Sequence, residues 1–528
     1  MTNSLTTPAE SAYQHSLDDP LATIDPYADL LIRLEEKRQH DKIILIPSES
    51  IASTAVRQAL GSVFTNLYAE GYPATRTLRD EIPQLMECDR QLACHRRYAD
   101  RRFYKGTEFV DFVECLAQKR VAQLFATAQV PAAEIHANVQ PLSGAAANNA
   151  VYEALLTPGD VIMGMDLTHG GHLTHGSPYN RSGKYFKVYP YGVNPATGRL
   201  DYDAVKKIAL EVKPKLIIAG ASAYPWTIDW AALRQAADAV GAYLMADIAH
   251  TAGLVVAGLF PNPIGQAHVI TFTTHKTILG PRGAVILCTN DEIGKRLDRA
   301  IFPGEQGGPH INNVAAVAVA FAYAATPEFR ALQKRIVENA VALADGLQRR
   351  GLKLAYGGTD THMLLIDLNA VPSATGFPLK GDVASRILDI CGLVVNKNTI
   401  PGDLNAAYSS AIRMGTVWAT QRGMTTAHMD RLDGLVHKVV TNIQPFRYFG
   451  TTMDIARGKI DLPILEEVRA EVSQMVQELG PVGDRQPTAP NPRLAWTMPL
   501  HYGDAAAEAQ APSVFYDQGD AGLLRLHG

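Results

Sequence analysis

Short apolar runs alternate with helical patterns through the middle of the chain. Runs of strand length occur at 161–165, 215–219, 242–246, 268–272 and 284–287, and helical patterns such as 202–212 and 230–240 lie between several of them. Strands that alternate with helices of this length form units in which the strands lie parallel and the helices cover the sheet. The sequence therefore predicts an α/β fold with a mostly parallel central sheet.

The pattern changes after this alternating section. A long helix is predicted over 328–350, a strand over 363–368 and a helix over 381–391, which is typical of a smaller α+β domain. Asp25 and Pro26 are residue types that begin a helix, so a helix is also expected near the N-terminus. We therefore expect four parts: an N-terminal arm or helix at 1–60, a large domain at 61–327, a small C-terminal domain at 328–460 and a C-terminal extension at 461–528.

The two ends of the chain have a different composition. Residues 1–22 are mostly polar, and the stretch from 481 onward is rich in proline, alanine and glycine. Because such segments bury too little apolar surface to form a core, we expect weak order at both ends. For the C-terminal stretch, wrapping on a neighbouring molecule is the alternative.

Composition excludes several classes of protein. The net charge of −4 and the pI near 6.5 demand neither nucleic acid nor an anionic membrane as partner. No apolar run approaches the roughly 18 residues of a membrane-spanning helix, and the polar N-terminus resembles no secretory signal. The five scattered cysteines are typical of reduced thiols. We therefore expect a cytoplasmic protein that binds neither nucleic acid nor membranes.

A lysine lies in a polar, glycine-flanked turn directly after the predicted strand 268–272. Lys276 precedes the Gly-Pro-Arg-Gly turn at 280–283. An amine at a partly buried site has a lowered pKa and becomes nucleophilic, which favours a Schiff base. Asp247 and His250 follow another apolar run. An acid and a lysine at nearby strand ends are what pyridoxal phosphate needs, because the acid keeps its pyridine nitrogen protonated and the lysine holds its aldehyde.

A second segment has the composition of a phosphate-binding helix start. Ser143 and Gly144 precede a helix of small and apolar residues, whose backbone amides and dipole favour an anion. Small residues are also common at tight helix contacts, so this signal is weak without Lys276. The rest of the phosphate cup is expected from Gly307, Gly308 and the hydroxyls near Lys276. With this turn and the upstream acid, an ordinary solvated lysine becomes the weaker interpretation.

Three histidines fall close together, at His169, His172 and His175, with glycines between them. Imidazoles are common zinc ligands, but no carboxylate or thiolate has matching spacing. The glycines favour close approach of the backbone to a flat ligand, with one histidine stacked on its ring. A second nominal cluster, two cysteines and a histidine at 88–95, matches no zinc module. We therefore expect no metal site.

One arginine and two glutamates complete the candidate residues. Arg413 lies in an otherwise apolar strand-like run. A buried guanidinium needs a partner, and a substrate carboxylate paired with both of its arms is a natural one. A structural salt bridge is the alternative. Glu49 and Glu70, taken alone, are expected to be ordinary solvated carboxylates.

Taken together, seven segments resemble the serine hydroxymethyltransferase family, with similarity from about residue 45 to 440. They are 45–50, 65–73, 138–144, 170–176, 273–277, 302–309 and 395–398. The resemblance implies a pyridoxal-phosphate enzyme of fold type I, similar to aspartate aminotransferase. It also implies the activity, which is reversible transfer of the serine hydroxymethyl group to tetrahydrofolate, giving glycine and 5,10-methylenetetrahydrofolate.

The resemblance implies how the cofactor is held. Lys276 forms the Schiff base, Asp247 pairs with the pyridine nitrogen and His172 stacks on the ring. The Gly307-Gly308 turn is expected from the partner subunit. The further cofactor-binding residues implied are Ser143, Gly144, Ser222, His250, Thr273 and His275, and the catalytic residues implied are Lys276, Glu70, Asp247, His172 and Tyr68.

The resemblance also implies how the substrates are held. Arg413 and Ser48 bind the amino-acid carboxylate, and Tyr104 lies at the substrate of its own subunit. Tyr68 and Glu70 reach in from the neighbouring subunit, with Glu70 as the acid and base of the hydroxymethyl step. The folate contacts implied are Glu70, Gly171, Leu173 and Asn398. Such shared sites require a homodimer or a tetramer.

Two other functions remain open at this stage. A relative with the same retro-aldol chemistry but no folate would be a threonine aldolase or a transaldolase. A catalytically idle relative would serve as an RNA-binding or scaffold protein. Tyr68, Glu70 and Asn398 argue against the first. Lys276, Asp247 and Arg413 argue against the second.

The chain departs from the family pattern at an insert of about 74–101. The family continues directly from Gly-Tyr-Pro into Arg-Tyr-Tyr-Gly-Gly, whereas here the insert separates Pro73 from Arg102. Apolar positions at helical spacing predict one helix in it, docked on the neighbouring subunit at the rim of the dimer interface; they are Leu78, Ile82, Leu85 and Met86. The other departures, which bear on folate geometry and substrate preference, are Ser50, Ala145 and Val417-Trp418.

Overall fold

The computed structural model describes residues 19–97, 101–404, 408–449, 454–482 and 523–525. A seven-stranded sheet forms its centre. Its strands are β1 His136–Asn138, β2 Val161–Met165, β3 Lys187–Tyr191, β4 Leu216–Gly220, β5 Tyr243–Asp247, β6 Val269–Thr273 and β7 Ala284–Cys288. They lie side by side in the order β1-β7-β6-β5-β4-β2-β3. Strands β2 to β6 are mutually parallel, and β7 runs antiparallel to both β6 and β1, so the predicted mostly parallel sheet is confirmed.

Both faces of this sheet are buried under helices. In β4, Ile217 and Ala219 belong to one apolar cluster and Leu216 and Ile218 to another, because successive side chains of a strand point to opposite faces. Up to residue 326 and outside the insert, the α-helices of the described residues are Leu21–Ile24, Pro26–Asp41, Thr54–Leu60, Glu108–Phe125, Gly144–Leu155, Arg181–Tyr185, Tyr202–Val212, Trp230–Asp238, Ala252–Val256, Asp291–Arg299 and Ile311–Ala324. The helix Pro327–Arg349 follows and places Leu343, Ala344 and Leu347 in the C-terminal core described below.

The five predicted strands are confirmed as β2, β4, β5, β6 and β7, with small shifts at their ends. The sequence did not reveal β1 and β3, which form the two edges of the sheet. Lys187 and Tyr189 on β3 are exposed, and His136 on β1 is only half-buried. A strand that faces solvent on one side needs no continuous apolar run, so neither edge resembled a strand.

The N-terminal helix begins where the sequence predicts it. The Asp25 carboxylate accepts hydrogen bonds from the backbone N–H groups of Tyr27 and Ala28, at 3.0 and 2.9 Å, and so caps the helix. The short helix Leu21–Ile24 precedes it, so helical structure extends into the region predicted to be weakly ordered. Residues 1–18 and 483–522 lie outside the described residues. In the described ranges, no helix is long and apolar enough to cross a bilayer.

A second apolar core lies in the C-terminal half. Its strands are β8 Met363–Asp367, β9 Asn396–Asn398 and β10 Ala411–Gly415, in the order β8-β10-β9, and β11 Gln444–Phe449, β12 Asp454–Asp461 and β13 Leu523–Arg525. Its helices are Gly381–Ile390, Val417–Gln421, Thr426–Asn442 and Leu462–Gln477. The strand and helices predicted here are confirmed with shifts of a residue at their ends.

This second core also takes residues from outside the predicted range 328–460. Leu45, from the segment predicted as an arm, is fully buried in it, and Ile43–Ile44 pairs with Leu393–Val394. The helix Leu462–Gln477 packs its apolar side chains into the same core. The boundary predicted at 460 therefore falls inside β12, and it separates a helix from the core on which it packs.

The insert forms three short helices rather than the one predicted. They are Thr75–Arg79, Ile82–Leu85 and Cys88–Arg97. Leu85 is fully buried against Phe112 and Cys115, which belong to the helix Glu108–Phe125 of the same chain. The prediction of a single helix is therefore wrong, and this apolar position is used within the chain. Two short strands, Gly71–Tyr72 and Arg101–Arg102, pair at the base of the insert.

Candidate active site

A cavity of about 180 Å³ lies at the carboxyl ends of β5 and β6. In parallel α/β sheets, ligands bind at this edge because the strand ends and the helix starts converge there. The cavity is lined by Gly144, Ala145, Asn148, His172, His175, Ala221, Ser222, Asp247, Ala249, His250, Thr273, His275 and Lys276. The fold thus brings together most of the residues that the sequence analysis assigned to the cofactor.

Lys276 is buried in this cavity, on the turn after β6. Burial lowers the pKa of its amine to about 8, and the nearby Asp247 carboxylate opposes that shift. The turn closes through hydrogen bonds from Leu279 N to Lys276 O and from Gly280 N to Thr274 O, at 3.0 and 2.7 Å. Leu279 has φ of 63°, a left-handed conformation that costs a non-glycine residue energy. The fold therefore imposes a strained turn to hold a nucleophilic amine.

Asp247 ends β5 and is held by two side chains. His175 Nε2 and Asn148 Nδ2 both donate to its Oδ2, at 2.9 and 2.8 Å. Burial by itself would raise the Asp247 pKa, but the hydrogen bond and charge of His175, with His172 and Asn148, outweigh burial and lower it well below its usual range. Asn148 is fixed in turn by Thr271, whose hydroxyl donates to its amide oxygen at 2.8 Å. The cavity therefore contains a permanently ionised, fully oriented carboxylate.

His172 lies in the same cavity as a neutral imidazole. Its Nδ1 accepts from the Thr174 hydroxyl and backbone N–H, at 2.7 and 3.2 Å. Burial lowers the pKa of His172 to about 4, and the neighbouring His175 lowers it further. His169 bonds elsewhere, through Nδ1, to the backbone of Val193. His175 Nδ1 accepts from the backbone N–H of His172 at 3.5 Å, and the described ranges contain no cluster of three or more metal-ligating side chains.

Ser143 caps the helix Gly144–Leu155 that begins at the cavity. Its hydroxyl accepts from the backbone N–H of Ala146 at 3.3 Å. A side chain at Gly144 would place its Cβ 2.8 Å from the Thr273 methyl group, so only glycine fits between helix and strand. The helix start therefore lies close against the end of β6, with its first amides at the cavity.

Arg413 is buried in β10 and lies beside the cavity. Its Nε donates to Asn396 Oδ1 at 3.2 Å, and Nη1 donates to the carbonyl of Ser222. Burial lowers its pKa to about 10, and no carboxylate among the described residues forms an ion pair with it. The structural salt bridge considered as the alternative is therefore absent from the described part of the chain. The guanidinium retains donors for a carboxylate ligand.

Two side chains near the cavity had no role in the sequence analysis. His362 Nε2 lies 3.3 Å from His250 Nδ1, with the rings stacked at 20°. Ser50 donates its hydroxyl to the backbone carbonyl of His275 at 2.8 Å. Burial lowers the pKa values of His362 and His275 to about 3, so both remain neutral at physiological pH. These residues orient the cavity lining without lying near it in sequence.

A second cluster lies at the surface and contributes nothing to the lining of the Lys276 cavity in its own chain. Tyr68 donates to Glu70 Oε1 at 3.3 Å and packs edge-on against Tyr104, with ring centroids 4.9 Å apart. Gly307 adjoins Glu70 and Tyr68, and Gly308 adjoins the Tyr68 ring. Tyr104 was expected to serve its own subunit's substrate, separately from Tyr68. It packs on Tyr68 in the same chain, and its role at the substrate stays a prediction.

A family model described as serine hydroxymethyltransferase matches residues 21–81 and 92–436. The chain belongs to the serine hydroxymethyltransferase family. It is therefore a pyridoxal-phosphate-dependent glycine hydroxymethyltransferase of fold type I, with tetrahydrofolate as co-substrate. The ten residues between the two matched ranges, 82–91, lie within the insert.

The cavity of this serine hydroxymethyltransferase fits its cofactor. Lys276 offers an amine of lowered pKa, Asp247 a fixed carboxylate and His172 a flat neutral ring, while the helix start at Ser143 offers amides to a phosphate. The fit to the cofactor rests on the types of side chain that line the cavity and on their charges. The cavity also contains no second acid that would compete with Asp247.

The remaining expected contacts lie outside the cavity lining. Ser48 is half-buried, and Leu173 exposes 50% of its surface. Asn398 donates to the carbonyl of Thr399 at 2.7 Å. A side chain at Gly171 would collide with the carbonyl of Met165, so this position requires glycine for packing.

Proposed function

We propose that the Lys276 cavity carries out cleavage of serine, with Lys276, Asp247 and His172 in the roles inferred from the family resemblance. The observation that carries this assignment is the ionised Asp247, fixed by His175 and Asn148 in the cavity that also contains Lys276. When bound, pyridoxal phosphate withdraws the electrons released at the amino acid's α-carbon.

Each of these side chains has a distinct task. Lys276 attaches the cofactor because its lowered pKa leaves a usable fraction of neutral amine near neutral pH. Asp247 holds a proton on the pyridine nitrogen, and its hydrogen bonds prevent it from rotating away. His172 packs as a neutral ring against the cofactor, where a second charge would be unfavourable. Ser143, Gly144 and Thr273 surround the phosphate group.

Arg413 and Ser48 hold the carboxylate of serine or glycine. The guanidinium is buried and has no ion-pair partner among the described residues. An entering carboxylate therefore replaces the interactions with water that the guanidinium lost on burial. Asn396 and the Ser222 carbonyl fix the direction of its donors. A planar, oriented fork selects a carboxylate in one geometry, which sets the α-carbon bond to be broken.

The cluster of Tyr68, Glu70, Tyr104, Gly307 and Gly308 acts on a partner subunit. Its members lie together, with both tyrosine rings substantially exposed, and none lines the cavity of its own chain. In a homodimer with shared sites, Glu70 accepts and returns the proton of the serine hydroxyl, and Tyr68 steadies it by hydrogen bonding. Gly307 and Gly308 complete the phosphate cup of the neighbour.

Folate lies at the cavity mouth in this proposal, where it contacts Glu70, Gly171, Leu173 and Asn398. The exposed Leu173 offers an apolar surface for a flat ring. We further propose that the enzyme functions in the cytoplasm. Its large domain spans 61–327, and its small domain combines 328–460 with the helix that follows.

Serine cleavage with and without tetrahydrofolate tests this function. We expect glycine to form rapidly only when tetrahydrofolate is present, with stoichiometric 5,10-methylenetetrahydrofolate. Equal rates without folate would instead identify a folate-independent aldolase. No cleavage of serine, threonine or related β-hydroxy amino acids by cofactor-loaded protein would contradict the proposal.

A further inference from the structure

Three charged side chains are completely buried beneath the loop that carries Glu70. Arg102, Asp111 and Glu114 each have 0% side-chain exposure. Arg102 Nε donates to Asp111 Oδ1 at 2.8 Å, and Nη2 donates to Glu114 Oε2 at 2.5 Å. Buried charges are retained only where they are paired and hydrogen-bonded, so this trio forms one coupled unit.

The trio holds the backbone on both sides of Glu70. Arg102 Nη1 donates to the carbonyls of Ala69 and Gly71, both at 2.9 Å. Gln140 Nε2 donates to the same Gly71 carbonyl at 2.9 Å and to Glu114 Oε1 at 2.8 Å. The direction in which Glu70 points therefore depends on where the Arg102 guanidinium lies.

By itself the trio is unbalanced, because two carboxylates share one guanidinium. Burial raises the pKa of Asp111 to about 6; Arg102 opposes that shift, and the charge of Glu114 adds to it. The second oxygen of Asp111, Oδ2, has no hydrogen-bond partner among the described residues. His95 lies next to that oxygen, with Nδ1 at 3.5 Å and a side chain only 8% exposed.

His95 reaches the trio from the insert. It lies on the helix Cys88–Arg97, whose first four residues fall in the gap between the two matched ranges, whereas His95 lies in the second range. The strands Gly71–Tyr72 and Arg101–Arg102 at the base of the insert join it directly to the Glu70 loop. A contact between His95 and Asp111 therefore connects the outer part of the insert to the loop's buried support.

We propose that His95 is a positioning residue for Glu70: protonated, it supplies the second positive charge that balances Asp111 and Glu114 and so keeps Arg102 on the Ala69 and Gly71 carbonyls. This inference rests on the proposed function of Glu70. The insert then stabilises the acid/base loop from within the subunit and contributes no reacting group. With His95 neutral or absent, Arg102 shifts toward the unbalanced carboxylates and loosens the loop.

The test separates the charge of His95 from its shape. His95→Gln removes the charge and keeps much of the volume, whereas His95→Lys keeps the charge. In His95→Gln/Asp111→Asn one carboxylate is also removed, which restores the balance. Asp111→Asn alone completes the cycle, and His437→Gln, in the other core, is the matched control.

In His95→Gln we expect kcat for tetrahydrofolate-dependent serine cleavage to fall about tenfold, because a small displacement of a catalytic group is costly. KM for serine and cofactor content should stay unchanged. Amide hydrogen exchange of the peptide 65–73 should become faster. Asp111→Asn introduced into the His95→Gln variant should recover most of both effects, and His95→Lys should resemble wild type wherever the longer side chain fits.

Wild-type kcat and exchange in His95→Gln would overturn the proposal. So would a loss in His95→Gln that neither His95→Lys nor the added Asp111→Asn relieves, because shape rather than charge would then matter. If the wild-type enzyme shows no folate-dependent turnover, the proposed function fails instead. The exchange measurement still decides the role of His95 in that case.

Discussion

The Lys276 cavity and the Tyr68–Glu70 cluster are built in opposite ways. The cavity groups are buried, and their partners come from strand ends and helix starts of the same chain. The Tyr68–Glu70 cluster lies on loops, with Tyr68 exposing 56% and Tyr104 43% of their surfaces. Most groups proposed to hold the cofactor thus lie within one chain, whereas the groups proposed for one-carbon transfer are proposed to act on a partner subunit.

The largest effect is expected at the core of the cavity. Among the described residues, Lys276 is the only lysine that lines it, so in Lys276→Ala the absorbance of attached cofactor should disappear and serine turnover should fall by about 10⁴-fold or more. Lys334→Ala, at a side chain that is 69% exposed, is the control and should behave as wild type. An unchanged cofactor spectrum in Lys276→Ala would remove Lys276 from its role.

In the surface cluster, Glu70→Gln should separate the two halves of the reaction. Glutamine keeps the size and the hydrogen bond from Tyr68 but cannot transfer a proton, so folate-dependent turnover should fall about 10²–10⁴-fold. Cofactor content and glycine binding, measured by spectral titration, should persist. Glu338→Gln is the control on an exposed helix. Near-normal turnover would leave Glu70 with a structural role only.

Arg413→Lys, a substitution beside the Lys276 cavity, should have an intermediate effect on substrate binding. Lysine keeps the charge but loses the planar fork, so KM for serine and Kd for glycine should both rise about 10–100-fold. Cofactor content should stay constant, and Arg349→Lys, at an exposed position, should be silent. A selective loss of folate affinity would show that the carboxylate is bound elsewhere.

The buried amine should also give the apoenzyme a distinctive pH dependence. Only neutral Lys276 attacks the cofactor aldehyde, and its folded-state pKa is lowered from 10.5 to about 8. The second-order rate of cofactor attachment should therefore rise about tenfold per pH unit below pH 8 and level off above it. Stopped-flow mixing with pyridoxal phosphate measures this. A rate still rising at pH 10 would indicate an ordinary solvated lysine.

Dimers that combine two different variants should give the smallest change in activity. They test most directly whether two subunits share an active site. Lys276→Ala and Glu70→Gln homodimers, unfolded, mixed and refolded, should give hybrids with one intact site of two. With random pairing, about a quarter of wild-type activity should return. Native mass spectrometry monitors hybrid formation. Hybrids that form but remain inactive would place Glu70 and Lys276 of one chain in the same site.

The sequence predicted the scaffold well because of how it is buried. Strands covered on both faces need continuous apolar runs, and those runs marked β2, β4, β5, β6 and β7 within a residue. The edge strands β1 and β3 carry polar or exposed side chains and left no such signal. The insert was misjudged for a related reason, because the spacing of apolar residues does not say which surface they will cover.

Within the site, the sequence indicated reactive groups and left their supports unnoticed. Lys276 and Asp247 stood out because a charged residue after a buried strand needs an explanation. Asn148, His175 and His362 did not stand out, because the role of a polar residue depends on the group that it contacts. Asn148 and Asp247, for example, are 99 positions apart in the chain. The run of three histidines could have indicated that His175 lies at the site. Only its hydrogen bond to Asp247 shows that it holds this carboxylate.

The amino-acid sequence by itself determined the family and the fold class and indicated candidate reactive residues, because each rests on local patterns of polarity and spacing. Only the tertiary structure decided which groups are charged and where they point. Arg102, Asp111 and Glu114 resemble surface charges in sequence, yet they are buried together beneath the Glu70 loop. The free energy of a buried charge depends on its immediate neighbours, and these are brought together only when the chain folds.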